Sequence, residues 1–97
     1  MWIYVNGIIY NTNSFDLIEA VEVQVPAVDE EGKLIEGAEP QVIPYVRGVL
    51  DVTDKKAPAL YIAKCETLDT AKALVKLIFK HIEDEDEAFE IDSKLLS

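Results

Sequence analysis

The sequence predicts an α+β fold: a bent, antiparallel β-sheet of about five to six strands, begun by an N-terminal Asn-Gly hairpin and covered by one C-terminal amphipathic helix. Three observations lead there. Two β-rich runs flank Asn6-Gly7, apolar stretches of strand character recur between residues 18 and 65, and the apolar period changes to three and four from Thr67 onward. Residues 1–82 are assigned to a single domain and residues 83–97 to an acidic C-terminal arm. With 49% apolar and 29% charged residues the chain is globular rather than disordered. A domain of this length buries only roughly two-thirds of its unfolded surface, so a stabilising device such as association or a ligand would be unsurprising.

In WIYVNGIIYN the Asn-Gly pair suits a type I′ turn, whose two central residues both need positive φ. Such a turn sets Val5 opposite Ile8, Tyr4 opposite Ile9, Ile3 opposite Tyr10 and Trp2 opposite Asn11. One face then carries Ile3, Val5, Ile8 and Tyr10, and the other Trp2, Tyr4 and Ile9. Both faces are largely apolar, so the hairpin is expected either between layers or against another chain. After the turn chemistry of NTNSFD, IEAVEVQV alternates Val21, Val23 and Val25 with Glu22 and Gln24, a strand with one wet face. DEEGK at 29–33 reads as a reversal, and LIEGAEPQ as an irregular or edge segment broken by Gly37 and Pro40. VIPYVRGVLDV is a strand expected to bend at Pro44 or Gly48. ALYIAKCE, with Leu60 and Ile62 on one face and Tyr61, Ala63 and Cys65 on the other, reads as a central strand.

From Thr67, a suitable N-cap with Asp69 in the first turn, Leu68, Ala71, Leu74, Val75, Ile78, Phe79 and Ile82 form one helical stripe. The stripe is expected to cover a sheet face. The helix is expected to stop near Ile82, because Glu85 and Asp86 stand where the stripe would continue and clustered anions oppose the macrodipole at a helix C-terminus. A bent antiparallel sheet closed by a C-terminal helix resembles the topology of pleckstrin-homology-like domains. The likeness involves no motif and implies no ligand or site residue.

The net charge of -10 is uneven: -7 over residues 1–46, +3 over 47–82 and -6 over 83–97. Complementary surfaces of this kind can meet within one molecule or between molecules. Lys72, Lys76 and Lys80 form a row at four-residue spacing, but no aromatic stands on that row and the body without the arm is still acidic, so direct nucleic-acid binding is not expected. Cys65 is the only cysteine, which excludes an intramolecular disulfide and favours a reducing, cytoplasmic setting. The N-terminus has no basic region before its apolar run, and no apolar segment is long enough to span a bilayer, so neither a signal peptide nor a membrane role is expected.

Chemistry is sparse. His81 and Cys65 are single, no nucleophile elbow or glycine-rich phosphate loop occurs, and DEEGKLIE lacks the alternating acids of an EF-hand. The expectation is a non-enzymatic protein with no cofactor and no metal site. Solvating tails rarely carry four large apolar residues in nine, yet the arm has Phe89, Ile91, Leu95 and Leu96 after the acids Glu83, Asp84, Glu85, Asp86 and Glu87. The expected contact surfaces are therefore Trp2, Tyr4 and Ile9 on the hairpin and Phe89, Ile91, Leu95 and Leu96 on the arm. The acids are expected to lie over the lysine row while FEI pairs with an open sheet edge of the same or a neighbouring subunit. Functionally this describes a self-associating protein–protein interaction module, its partner a protein and its state a homo-oligomer. The alternative is an acidic mimic of nucleic acid, similar in size and charge to small phage-encoded inhibitors, that blocks a basic nucleic-acid-binding protein.

Overall fold

The computed structural model describes residues 1–97. Its elements are β1 (Trp2–Val5), β2 (Ile8–Asn11), β3 (Leu17–Val25), β4 (Gln41–Val49), β5 (Ala59–Lys64), α1 (Leu68–Glu83) and β6 (Ala88–Glu90), with short 3-10 turns at Thr12–Ser14 and Ser93–Leu96. The strands form two three-stranded sheets, ordered β2-β1-β6 and β3-β4-β5. The expected single bent sheet is thus two sheets, and one pairing, β1 with β6, is parallel.

Asn6 and Gly7 adopt φ values of 49° and 79°, which the I′ turn requires at both positions. The hairpin register is Val5↔Ile8, Tyr4↔Ile9, Ile3↔Tyr10 and Trp2↔Asn11, as the two-residue turn dictates. Ile3 and Val5 point into the core, whereas Trp2, Tyr4 and Ile9 remain exposed. Beyond the hairpin, the Thr12 N–H and hydroxyl both donate to the Met1 carbonyl, closing the open end.

β4 is the central strand of the second sheet and pairs with β3 along its whole length. It carries Pro44 without breaking. In an antiparallel ladder the N and O of one residue face the same neighbour. Pro44 O accepts from Cys65 N–H just past the end of β5, so the absent Pro44 N–H would have faced Cys65 there, and its loss removes one bond at the end of the β4–β5 ladder rather than within it. Gly48 also lies within β4 without ending it. The Phe15 ring lies directly over it, and a Cβ there would come within 2.6 Å of ring carbons. A side chain at this position would displace the aromatic that covers the strand.

β5 is an edge strand, not the central strand its two-sided apolarity suggested. Tyr61 pairs with Arg47 and Ala63 with Val46, leaving Ile62 as the extra residue of a β-bulge. The bulge breaks the two-residue alternation: Ile62 and Ala63 are both buried, and Leu60 and Tyr61 are both exposed. Between β3 and β4 the chain extends as a long arm. The Asp29 carboxylate accepts from the Glu31 and Lys33 amides, and Val28 bridges to Leu34, but every residue from 28 to 42 is exposed.

Thr67 caps α1, its hydroxyl accepting from Thr70 N–H. Ala71, Leu74 and Ile78 are buried; Phe79 and Ile82, although in the same stripe, are exposed. The helix ends where the acids begin. Asp86 N–H donates to the His81 carbonyl and Glu85 N–H to the Ile82 carbonyl, the paired bonds of a Schellman motif, with Glu85 at φ 57° in the position glycine normally takes. A left-handed non-glycine residue costs roughly 1–2 kcal/mol, and the extra entropy glycine loses on folding is roughly 0.5–1 kcal/mol. Glu85→Gly is therefore expected to raise stability by about 0.5–1 kcal/mol, measurable as a higher urea midpoint.

Both sheets and the helix converge on one core. Its eleven buried residues include Ile3, Val5 and Phe89 from the hairpin sheet, Val46, Ile62 and Ala63 from the other, and Ala71, Leu74 and Ile78 from α1.

Candidate protein-contact surfaces

The arm is part of the fold. Trp2 N–H donates to the Glu87 carbonyl and Ile91 N–H to the Tyr4 carbonyl, so β6 completes the sheet along the β1 edge of the same chain. Phe89 and Ile91 belong to the core, and Leu95 and Leu96 pack half-buried against it. These four are accordingly interior contacts of the chain itself. The Leu96 carbonyl accepts from Glu66 N–H, and the Asp92 carboxylate caps the last turn.

The arm's acidic half is fastened by His81, which stands out in the sequence only as the single histidine. His81 Nδ1 lies 2.6 Å from Asp86 Oδ2, and its ring stacks on Phe89 at 4.2 Å with a 24° interplanar angle. Glu83, Asp84, Glu85 and Glu87 are exposed and form no ion pair. The chain's ion pairs are Lys33–Glu31 and Arg47–Glu19, and His81 holds Asp86 by a hydrogen bond, so Lys72, Lys76 and Lys80 are not the acids' seat. The only spacing that could have revealed the clasp is the five residues from His81 to Asp86, which becomes short-range only because the Schellman turn reverses the chain between them.

Three apolar surfaces stay open. The first is the predicted hairpin face, where Trp2, Tyr4 and Ile9, with Ala88 and Glu90, line a shallow recess over Phe89. The second is a groove between α1 and the β2–β3 connection, lined by Phe15, Leu17, Ile18, Val75, Phe79 and Ile82. The third is the face of β3-β4-β5 turned away from α1. The helix side of that sheet holds Ile18, Ala20 and Val46, whereas the opposite side carries Val21, Val23, Ile43, Tyr45, Val49 and Tyr61, none of them buried. Tyr45 and Tyr61 pack at 5.0 Å between centroids, and Arg47 Nη2 donates to Glu19 Oε1 beside them. That hydrogen bond, partly opposed by burial, raises the pKa of the Arg47 guanidinium, which stays charged throughout. Its Nε is buried without a partner.

The valine alternation of β3 predicted one wet face carrying Glu22 and Gln24, but the open face holds Val21 and Val23, because alternation does not say which face the helix takes. The missed signal was Ile18 and Ala20, which stand out of phase with Val21, Val23 and Val25 and supply the helix side.

Cys65 is 4% exposed. Burial pushes its thiol pKa up, which favours the neutral form in the fold. A raised folded value means the stabilisation is complete below the unfolded thiol value, about 8.5, and is lost as pH rises through the folded one. Native protein is expected to react slowly with iodoacetamide and to lose stability above about pH 9, with Cys65→Ala removing that alkaline loss.

No three His, Cys, Asp or Glu side chains are placed together to hold a metal ion, and no helix is long and apolar enough to cross a membrane. Comparison of the chain with protein-family models, with curated proteins and with solved structures finds no match.

Proposed function

We propose that the chain is a non-enzymatic, cytoplasmic protein-contact module that works as a homo-oligomer. One observation carries this reading: the exposed surface exceeds that of a compact monomer, part of the excess lying in the projecting residues 28–42. The chain exposes 6950 Å², against about 5,600 Å² for a compact monomer of this mass. Its radius of gyration is 15.2 Å, against about 12.5 Å for a compact domain of this length. The surplus, about 1,400 Å², exceeds the roughly 800 Å² that each partner contributes to a standard interface, and much of the open surface is apolar. Two sheets closed by a C-terminal helix support a pleckstrin-homology-like scaffold for this module, with the parallel β6 as an addition. Sedimentation velocity at micromolar concentration tests the reading. A species larger than the monomer is expected, and a monomer at every concentration overturns it.

The acidic-mimic reading keeps one observation in its favour. Asp29, Glu30, Glu31, Glu36 and Glu39 all stand exposed on the arm between β3 and β4, with Lys33 the only base among them. That reading expects capture of a basic nucleic-acid-binding protein that weakens steeply between about 0.05 M and 0.2 M salt; capture insensitive to salt counts against it.

A further inference from the structure

We propose that self-association runs through the open face of β3-β4-β5, with two copies stacking these sheets face to face about a two-fold axis. This rests on the self-association reading above and names its surface.

The face is built like one half of a β-sandwich. β3 and β4 each supply nine residues and β5 crosses beside them, which makes a footprint of roughly 30 Å by 15 Å at the usual rise and strand spacing. Its outward side chains are β-branched and aromatic, the residues that interdigitate between packed sheets. A lone surface sheet shows polar residues outward. Here the order is inverted over the outer half of β3, where Glu22 and Gln24 fall on the helix side, beyond the helix, and Val21 and Val23 point away from the core.

Charge selects a second copy as the occupant. The chain as a whole is at -10, so most pairs of surfaces brought together between copies would set acids against acids. On this face the charges are Glu19, already paired with Arg47, and Lys64 at the rim opposite Tyr45. Two copies can meet here without setting acids against acids, the unpaired Lys64 staying at the rim, and a flat apolar face is self-complementary, as a two-fold interface requires. The Arg47–Glu19 pair enters the interface with its charges already matched, which limits the desolvation cost that an unpaired charge would bring. The hairpin face is smaller and holds Glu90, which a two-fold contact would set near its own copy.

Because association is apolar and the copies repel at long range, raising salt from about 0.01 M to about 0.15 M shortens the screening length from about 30 Å to about 8 Å and strengthens the dimer. An arm-to-lysine contact would weaken instead.

Val23→Glu puts an unpaired carboxylate into the contact on each copy and is expected to raise the dissociation constant at least about 100-fold, whereas Ile9→Glu on the hairpin face leaves it unchanged. Tyr61→Glu, on an edge strand and already exposed, gives the same dissociation with no burden on folding if Val23→Glu fails to fold. The only tryptophan reports independently: Trp2 lies on the hairpin sheet, so its emission maximum is expected to stay constant on dilution through dissociation. An oligomer that survives Val23→Glu and Tyr61→Glu, dissociates with Ile9→Glu, weakens as salt rises, or shifts Trp2 emission on association overturns this interface while leaving self-association standing. A wild-type chain that is monomeric throughout overturns both.

Discussion

Phe89→Ala is expected to lower the free energy of unfolding by about 3 kcal/mol, a large part of the roughly 5–15 kcal/mol available to a domain of this length. Phe89 sits on the three-residue strand β6, where backbone pairing alone is weak, and its side chain closes the core beside Ile3, its register partner on β1. Truncation removes the ring from that core and removes the surface on which His81 stacks. It therefore loosens both ends of the Asp86 clasp together. Urea denaturation checks it, with a lower midpoint at unchanged slope. Glu90→Ala on the exposed side of the same strand is the control, expected to fall within about 0.5 kcal/mol of wild type. If Phe89→Ala costs less than about 1 kcal/mol, β6 is not seated in the core in solution, on its own chain or on a neighbour's.

Local chemistry explains which parts of this fold were legible. Asn6-Gly7 specifies both turn dihedrals and hence the register of four residue pairs, so the hairpin could be read without tertiary information. Thr67 and the helical period did the same for α1. The two sheets could not be told from one, because strand composition does not encode which strands share hydrogen bonds. The Ile62 bulge was hidden for a related reason: one inserted residue converts an apparently two-sided strand into an edge strand with adjacent residues facing inward, and only pairing with Val46 and Arg47 exposes it. The arm was legible as a segment that docks, from Phe89 and Ile91 in a short alternation. Its seat was not, since parallel pairing with β1 joins residues more than eighty positions apart. The candidate surfaces divide in the same way. Trp2, Tyr4 and Ile9 are open because the turn register puts them on one face, while the outer sheet face became visible only once the helix was placed.

Ile78→Ala and Phe79→Ala should separate by more than 2 kcal/mol, although adjacent and equivalent by stripe membership. Ile78 is 2% exposed and lies among Ala71, Leu74 and the inward residues of both sheets, so deleting it leaves a void where three elements meet. Its expected cost is about 3 kcal/mol. Phe79 is 61% exposed above the groove beside Ile82 and Phe15, and most of its ring has no packing to lose; its expected cost is under about 1 kcal/mol. The stripe is wider than the sheet beneath it, because β3 passes under α1 at Ile18 and Ala20 and then runs outward beyond the helix. Urea midpoints for both variants, measured at a concentration where wild type is monomeric, test the division. Equal costs would mean that Phe79 folds down onto its own chain beside Phe15 and Ile82 in the monomer, and the helix groove would then drop out as an open surface.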